Sequence, residues 1–231
     1  MPEAFDPLAL ARHLLRSIRA ATLATLSPPP GFPLATLTAI ATDHDGAPVL
    51  LASQLSAHTR NLDADGRCGL LLAQGGRGDP LAHPRLSLQG RAARAEGALR
   101  ARLRKRYLAQ NPKASLYADF GDFSFWRVDL EAVALNGGFG KAASFSGAEL
   151  LAAVPEGLAD AEPEMLEALN RQPTALARLA AAEGEGPWRA AAIDSAGLTL
   201  ICGERTARAP FAAAATLDAV RRRLAGLGLS G

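Results

Sequence analysis

The residues best suited to chemistry lie between Ser53 and Asn61, in the string Ser-Gln-Leu-Ser-Ala-His-Thr-Arg-Asn. Apolar runs precede and follow this string, so a short polar element is predicted to join two strands. Ser56 is a suitable N-cap for a helix over residues 57–64. The first turn of that helix would combine free backbone N–H groups, hydroxyls and the cationic Arg60, which suits a phosphate. A capped surface helix without a ligand explains the same pattern.

The rest of the chain offers little independent chemistry. It contains no Gly-x-Ser-x-Gly, Walker A, His-Glu-x-x-His or Cys-x-x-Cys motif. The four histidines are not paired at metal-ligand spacing, so we expect no metal site built from protein side chains. With no defensible catalytic acid, base or nucleophile, any difficult reaction requires a bound cofactor. The sequence leaves open whether the protein is an enzyme.

Composition predicts a folded protein in a reducing compartment. Hydrophobic residues make up 48% of the 231 residues and charged residues 21%, with a net charge of +2. This balance gives no general attraction to nucleic acid or to an anionic membrane. No stretch is predicted to span a bilayer, and no signal peptide is apparent. Cys68 and Cys202 lie far apart in apolar runs, so we expect a cytoplasmic protein.

One charged run competes with these exclusions. Five cations lie between Arg100 and Arg106 on a predicted helix, and such a run can bind nucleic acid. A solvated helix face is the preferred interpretation. A third interpretation is that this face recruits a partner in a regulatory module that uses the second domain as an adaptor.

The order of elements predicts an α+β protein with two domains, residues 1–146 and 147–231. The first contains at least six predicted strands with short turns, typical of an antiparallel barrel, and Gly90 predicts a bulge. In the second, we expect a helix starting at Pro163, a break at Pro173, and two or three strands before a last helix.

A glycine-rich turn follows the last long strand, in the string Asn-Gly-Gly-Phe-Gly-Lys from Asn136 to Lys141. Such a turn allows a backbone to approach a flat or anionic group closely. A plain connector explains it equally well.

Three strings together resemble one family: LATLTAIATDHDGAPVLLASQLSAHTRNLDADGRCGLLL, HPRLSLQGRA and RYLAQNPKASLYADFGDFSFWRVDLEAVALNGGFGKA. They are similar to the pyridoxamine 5'-phosphate oxidase-like, FMN-binding split-barrel proteins, in particular the haem-utilisation branch. The run from Asp160 to Leu227 resembles the small α+β domain of that branch. The resemblance implies an N-terminal split β-barrel with flanking helices, a small C-terminal α+β domain and a homodimer. FMN, or haem as a possible ligand, would lie in clefts between the subunits.

The resemblance also implies a role for particular residues. The strand from Thr36 to Ala41 would run beside the flavin ring, and the segment from Ser53 to Asn61 would hold the phosphate and ribityl chain. Arg85 would either reach a flavin edge or phosphate or remain a surface strand residue. The candidate cofactor residues are Thr36, Leu37, Thr38, Ser53, Ser56, His58, Thr59, Arg60, Asn61, Arg85, Gly138 and Phe139.

Two departures from the family pattern limit the function. The second domain usually carries Met-Asn-x-Asp-His, whereas this chain reads Leu-Asn-Arg-Gln-Pro from Leu169 to Pro173. No histidine follows His83, so the C-terminal iron ligand of haem-degrading members is absent. The expected function is an FMN-binding oxidoreductase acting on a small or planar substrate. The alternatives are a haem-binding protein with little or no turnover and a non-catalytic partner-binding module.

Overall fold

The computed structural model describes residues 5–29, 31–138 and 140–229. It divides into two compact units, one ending at Leu151 and the other starting at Ala152. The sequence placed a boundary after Ser146. The short helix from Gly147 to Leu150 belongs to the first unit and contacts its last two strands, so the compact units separate one helix later.

The first unit is a closed antiparallel barrel, as predicted. Strand order β3-β2-β1-β4-β5-β6 closes into a ring through pairing of β3 with β6, and β7 adds to the outer side of β6. The strands are β1 (Ala20–Leu26), β2 (Pro33–Thr42), β3 (Pro48–Ser53), β4 (Arg67–Ala73), β5 (Arg85–Arg94), β6 (Phe123–Asn136) and β7 (Ala142–Ser146). Closure removes the free edges that an open sheet would expose.

Side chains that alternate along each strand fill the barrel, and β5 shows this period of two in its sequence. Leu86 and Leu88 of β5 are fully buried, whereas Ser87 and Gln89 between and beyond them are exposed. At Gly90 the register with β6 shifts, which confirms the predicted bulge. A Cβ at this position would lie 2.2 Å from the Asp129 carbonyl oxygen, so only glycine fits.

Four helices cover the barrel: α1 (Pro7–Ser17), α2 (Ala57–Ala64), α3 (Gly97–Gln110) and α4 (Gly147–Leu150). Asp6 caps α1 by accepting a hydrogen bond from the Ala9 N–H at 2.9 Å, with Pro7 in the first turn. The predicted bounds of α2 are confirmed. Among the described residues no helix is both long and apolar enough to cross a bilayer.

The basic face of α3 is not simply solvated, so that interpretation was wrong in part. Arg106 is buried and donates to the Thr42 carbonyl at 2.7 Å, and Arg104 pairs with Asp119. Arg102 pairs at 2.5 Å with Asp43, which lies in the turn between β2 and β3. Arg102 and Arg106 serve the fold because the turn carries buried anionic and carbonyl groups that need partners, whereas Arg104 pairs with the exposed Asp119.

The turn between β2 and β3 is buried, which is unusual for a connection between two strands. Asp43 is 3% exposed and His44 is 1% exposed, and Asp43 also accepts hydrogen bonds from the His44 N–H and from Arg127. Burial alone would raise the pKa of the Asp43 carboxyl, but the His44 hydrogen bonds and the charges of Arg102 and Arg106 outweigh it. They hold that pKa well below its usual range.

The second unit is a three-stranded antiparallel sheet with helices, and the predicted third strand is confirmed. Its elements are α5 (Leu158–Asn170), α6 (Pro173–Leu179), β8 (Arg189–Asp194), β9 (Gly197–Cys202), β10 (Arg205–Pro210) and α7 (Leu217–Gly226). Pro173 separates α5 from α6, as predicted. Pro163 does not start a helix; it lies inside α5, which begins earlier because Gly157 takes a left-handed conformation before it.

Side chains of α5 hold the edge strand β8. Asn170 both donates to the Ala190 carbonyl at 3.1 Å and accepts from the Ala190 N–H at 2.8 Å, and Glu162 accepts from the Ile193 N–H at 2.7 Å. Asn170 belongs to the Leu169–Pro173 string that departs from the family pattern, and here it stabilises the sheet edge.

We expect Asp43→Ala to lower the free energy of unfolding by about 3 kcal/mol, because it leaves Arg102 and Arg127 without a buried anionic partner. Urea unfolding at neutral pH measures this change. Folding lowers the pKa of Asp43. Its contribution to the free energy of unfolding is therefore complete above the pKa of the unfolded chain and is lost as pH falls through the pKa of the folded protein. The wild type and the variant should therefore converge in stability as the pH falls through the acid range. An unchanged difference would contradict the assignment.

Candidate functional site

Barrel closure builds the candidate site. Ser53, the last residue of β3, pairs in register with Phe123, the first residue of β6. The chain then turns, and the Gln54 N–H donates to the Asp122 carbonyl at 2.8 Å. We call the segment Ser53–Asn61 together with Asp122 the α2 corner. Asp122 was not identified from the sequence.

Ser53 is fully engaged within this corner. Its hydroxyl donates to the Asp122 carboxylate and accepts from the Leu55 N–H at 3.1 Å. The hydroxyl hydrogen is therefore not available to a ligand while Asp122 accepts it. The predicted phosphate contact at Ser53 stays untested, but this geometry gives Ser53 a role in shaping the turn.

Ser56 and Arg60 are the groups best placed to meet an anion. Ser56 is the N-cap residue with extended backbone, but its side chain forms no capping hydrogen bond, which leaves the hydroxyl available. Arg60 is exposed and donates one N–H to the Leu55 carbonyl at 2.9 Å. No other bond joins its guanidinium to a described residue, so its remaining donors face a ligand or solvent.

His58 is held as a neutral imidazole. Its Nδ1 lies 3.1 Å from the Thr36 hydroxyl oxygen, and that hydroxyl lies 3.4 Å from the Leu23 carbonyl. Because the hydroxyl hydrogen is directed at the carbonyl, we assign the proton of the ring to Nδ1, leaving the Nε2 lone pair free. Burial lowers the pKa of His58, so this neutral form dominates at pH 7.

Thr59 and Asn61 lie on the buried side of α2. Asn61 is 4% exposed and donates to the Thr25 hydroxyl at 2.9 Å, which ties the helix to β1. Thr59 is fully buried, and its hydroxyl oxygen has no hydrogen-bond partner in the part of the chain described. Both side chains are therefore placed to seat the helix on the barrel.

Arg94 is the second residue that sequence reasoning missed. From the end of β5 it donates twice to Asp63 on α2, at 2.8 and 2.7 Å, and once to the Ser124 hydroxyl at 2.7 Å. Its guanidinium also stacks over the Trp126 ring at 4.7 Å. The hydrogen bond from Arg94 lowers the pKa of Asp63, so the carboxylate stays ionised and the guanidinium balances its charge. No local pattern connects residues 31 positions apart.

The strand candidates divide between two faces of β2. Leu37 points outward and is 78% exposed, whereas Thr36 and Thr38 are half-buried. Across the sheet Leu37 lies opposite Thr22, and Thr22 lies opposite Leu71, which is 40% exposed. The outer surface of β2, β1 and β4 is therefore apolar around Leu37, which is unusual for a surface that meets only water.

Arg85 and Gly138 lie at the other end of the barrel from the α2 corner. Arg85 starts β5 opposite Asn136, whereas Arg94 at the corner ends β5, roughly 30 Å away at the rise of a strand. Arg85 donates to the Leu81 carbonyl at 3.0 Å. Gly138 has a φ of 99°, and a Cβ there would lie 2.9 Å from the Ala82 carbonyl oxygen, so a tight connector alone requires glycine. Phe139 lies outside the described residues.

Two further observations limit the chemistry of the site. The described residues include no group of three or more His, Cys, Asp or Glu side chains that would hold a metal ion. Cys68 is buried, and burial raises the pKa of its thiol to about 11, so it is an unreactive core residue. The α2 corner can therefore bind and orient a group, but the part of the chain described supplies no obvious nucleophile.

The family is decided by comparison with known sequences. The model of the pyridoxamine 5'-phosphate oxidase family matches residues 9–137, which is more than half of the chain. The chain belongs to this family. The match starts in α1 and ends just after β6, so it spans the closed barrel and the α2 corner.

Individual relatives refine this placement. A chloroplast protein of Arabidopsis thaliana named a non-canonical haem oxygenase is 39% identical over 105 residues, 45% of this chain and 31% of that protein. The chain thus matches about a third of the length of this curated relative. A protein of unknown function from Agrobacterium tumefaciens has 33% identity and a TM-score of 0.84, covering 98% of this chain and all of that one. A haem-binding protein from Mycobacterium smegmatis has 28% identity and a TM-score of 0.61, covering 97% of each. These similarities support the haem-utilisation branch of the family.

We expect the His58 imidazole to titrate below pH 6.5, the ordinary value, because burial disfavours its charged form. Its stabilising contribution is then complete above pH 6.5 and decreases as pH falls, since the unfolded chain binds the proton more readily. Proton NMR of the histidine ring resonances measures the pKa, and His58→Gln assigns the signal. A pKa at or above 6.5 would contradict the described environment.

Asn61→Ala should destabilise the protein by about 1–3 kcal/mol, because it leaves the buried Thr25 hydroxyl without its donor. Thermal and urea unfolding measure this change. Ser56→Ala is the matched control. Because the Ser56 hydroxyl makes no capping hydrogen bond, this substitution should change the free energy of unfolding less. Equal losses in the two variants would show that the corner is held differently.

Proposed function

We propose that this protein binds a planar cofactor with an anionic tail, FMN as first candidate, in a cleft between two copies of the chain. The observation that supports this most is the combination of an anion-binding helix start with an exposed apolar strand surface in one barrel. A flat ring system needs apolar surface, and its charged tail needs donors. The cytoplasm remains the expected compartment.

The anion end of the proposed site is the start of α2. The Ser56 hydroxyl, the free donors of Arg60 and the first backbone N–H groups of the helix fit a negatively charged group. Thr59 and Asn61 would act indirectly, by seating the helix. His58 offers Nε2 as an acceptor, which suits a ring N–H or hydroxyl of a ligand better than an anionic oxygen.

The planar end of the proposed site involves the outer surface of β2. Leu37 exposes apolar surface that a ring system or a second protein chain would cover. Thr36 and Thr38 supply hydroxyls on the same strand, and the Thr36 hydroxyl is tied to His58. This strand therefore connects the apolar surface to the helix start.

A second copy would complete the site. The candidate residues Arg85 and Gly138 lie at the opposite end of the barrel from α2, so one chain cannot bring both groups to one cofactor. A symmetric dimer formed through the apolar surface around Leu37 can bring opposite ends of two barrels together. In that arrangement Arg85 of one copy would approach the cofactor held by the α2 corner of the other.

FMN bound there would supply electron transfer, and the protein would act as an oxidoreductase on a small or planar substrate. The described residues of the corner would bind, orient and shield the cofactor. This division of labour agrees with the internal engagement of the carboxylates near α2, since Asp63 pairs with Arg94 and Asp122 accepts the Ser53 hydroxyl hydrogen.

Haem is the second candidate, supported by the names of the Arabidopsis and Mycobacterium relatives. The residue that would hold its iron is His58, because Nε2 carries a lone pair and forms no bond to a described residue. A haem-binding protein with little turnover is favoured over a haem-degrading one, since no histidine follows His83. A non-catalytic partner-binding module is disfavoured by the internal pairing of Arg102, Arg104 and Arg106.

Titration of the purified protein with FMN and, separately, with haem tests the proposal. Binding should quench flavin fluorescence or shift the haem Soret band at micromolar concentration. Product formation after addition of reductant and oxygen would identify an enzyme. If neither ligand binds, the proposed function is wrong.

Arg60→Gln should weaken FMN binding about tenfold, because it removes the one exposed cation of the corner. Arg100→Gln is the matched control, since Arg100 is exposed on α3 and lies outside the α2 corner. Fluorescence quenching measures both. An equal effect of the two substitutions would show that Arg60 contributes only general charge.

A further inference from the structure

The α2 corner carries an unexpected negative charge. Asp122 accepts the Ser53 hydroxyl hydrogen, and no cation lies within ion-pairing distance of its carboxylate among the residues described. The neighbouring carboxylate on α2 behaves differently, because Asp63 is paired with Arg94. Of the carboxylates that the structure describes, Asp122 is thus the one that contacts the turn leading into the helix without a cation beside it.

The positive charge of the corner is small in comparison. Arg60 contributes one cation and is bound to the carbonyl of Leu55, whose N–H donates to Ser53 in the same turn. His58 contributes none, since burial lowers its pKa and its Nδ1 proton faces Thr36. The side chains Arg60 and Asp122 therefore sum to no net charge, and only the partial charge of the helix start remains.

This balance matters most for a phosphate. A phosphate monoester carries a charge of about −1.5 to −2 at pH 7, whereas a carboxylate carries −1. Repulsion from a fixed anion scales with the charge of the ligand, and attraction to the single Arg60 cation is partly cancelled. Repulsion by Asp122 therefore costs a singly charged group less binding free energy than it costs a phosphate.

We propose that Asp122 is a specificity-determining residue that makes the α2 corner select against a phosphate dianion and accept a neutral or singly charged group, such as a carboxylate. This inference rests on the proposed function, because it concerns the same corner. Among planar ligands of the proposed site, those with a hydroxyl or carboxylate tail are therefore disfavoured less by Asp122 than those with a phosphate tail. FMN then binds with little advantage over riboflavin.

The test compares FMN with riboflavin, which has the same ring and ribityl chain but no phosphate. Asp122→Asn removes the charge and keeps an oxygen that accepts the Ser53 hydroxyl hydrogen. We expect the ratio of the riboflavin Kd to the FMN Kd to rise about tenfold in D122N at low ionic strength. Added salt should reduce this gain, because exposed charges are screened.

Asp119→Asn is the matched control. It changes the net charge equally in the same segment, but Asp119 pairs with Arg104 and does not contact the corner. In D119N the ratio of the riboflavin Kd to the FMN Kd should match that of the wild type. A second measurement needs no flavin: inorganic phosphate, compared with chloride at equal ionic strength, should raise the melting temperature of D122N more than that of the wild type or D119N.

The outcomes separate the two proposals. If both flavins bind and D122N leaves their ratio unchanged, the role of Asp122 is wrong and the proposed function survives. If no flavin binds, FMN is excluded as the ligand. The melting temperatures in inorganic phosphate then test the role of Asp122. Extra stabilisation of D122N by phosphate supports the inference, whereas equal stabilisation of all three proteins overturns it.

Discussion

Pairing between β3 and β6 is the constraint on which the rest of the first unit depends. It converts an open sheet into a barrel, and it places Ser53 opposite Phe123. Asp122 immediately precedes Phe123, so closure also brings a carboxylate to the turn before α2. One backbone pairing thus builds the core and sets the charge of the candidate site.

The helix after this turn is held from two sides. Asn61 ties its buried face to β1, and Arg94 ties Asp63 to the end of β5 over the Trp126 ring. These contacts leave the exposed first turn, with Ser56 and Arg60, fixed relative to the apolar strand β2. A preorganised site of this kind does not have to order its own backbone when it binds a ligand.

Local patterns were sufficient to predict much of this fold. The alternation of β5, the bulge at Gly90 and the bounds of α2 each depend on neighbouring residues, so the sequence displays them directly. The start of α5 was misplaced because a proline is a common first residue of a helix but is also tolerated inside one. The burial of His44 has no local signal, because a turn is normally exposed and here arginines distant in sequence pair with the neighbouring Asp43.

In the candidate site, too, residues that are close in sequence were easier to identify than residues that folding brings together. Ser56, His58 and Arg60 could be named as candidates because they are close in sequence and follow a family pattern. Asp122 and Arg94 were not, since 69 residues separate Asp122 from Ser53 and 31 separate Arg94 from Asp63. The candidate residues Arg85 and Gly138 fall at the far end of the barrel, which a linear pattern cannot reveal.

We propose that a planar cofactor binds at a site shared by two chains. Sedimentation velocity, recorded at the absorbance of added FMN or haem, distinguishes such a site from one within a single chain. We expect the cofactor to sediment with a species of twice the 24.0 kDa chain mass, and Leu37→Asp to abolish both the dimer and the bound colour. Cofactor that sediments with a single chain, or binding that survives in monomeric Leu37→Asp, would contradict it.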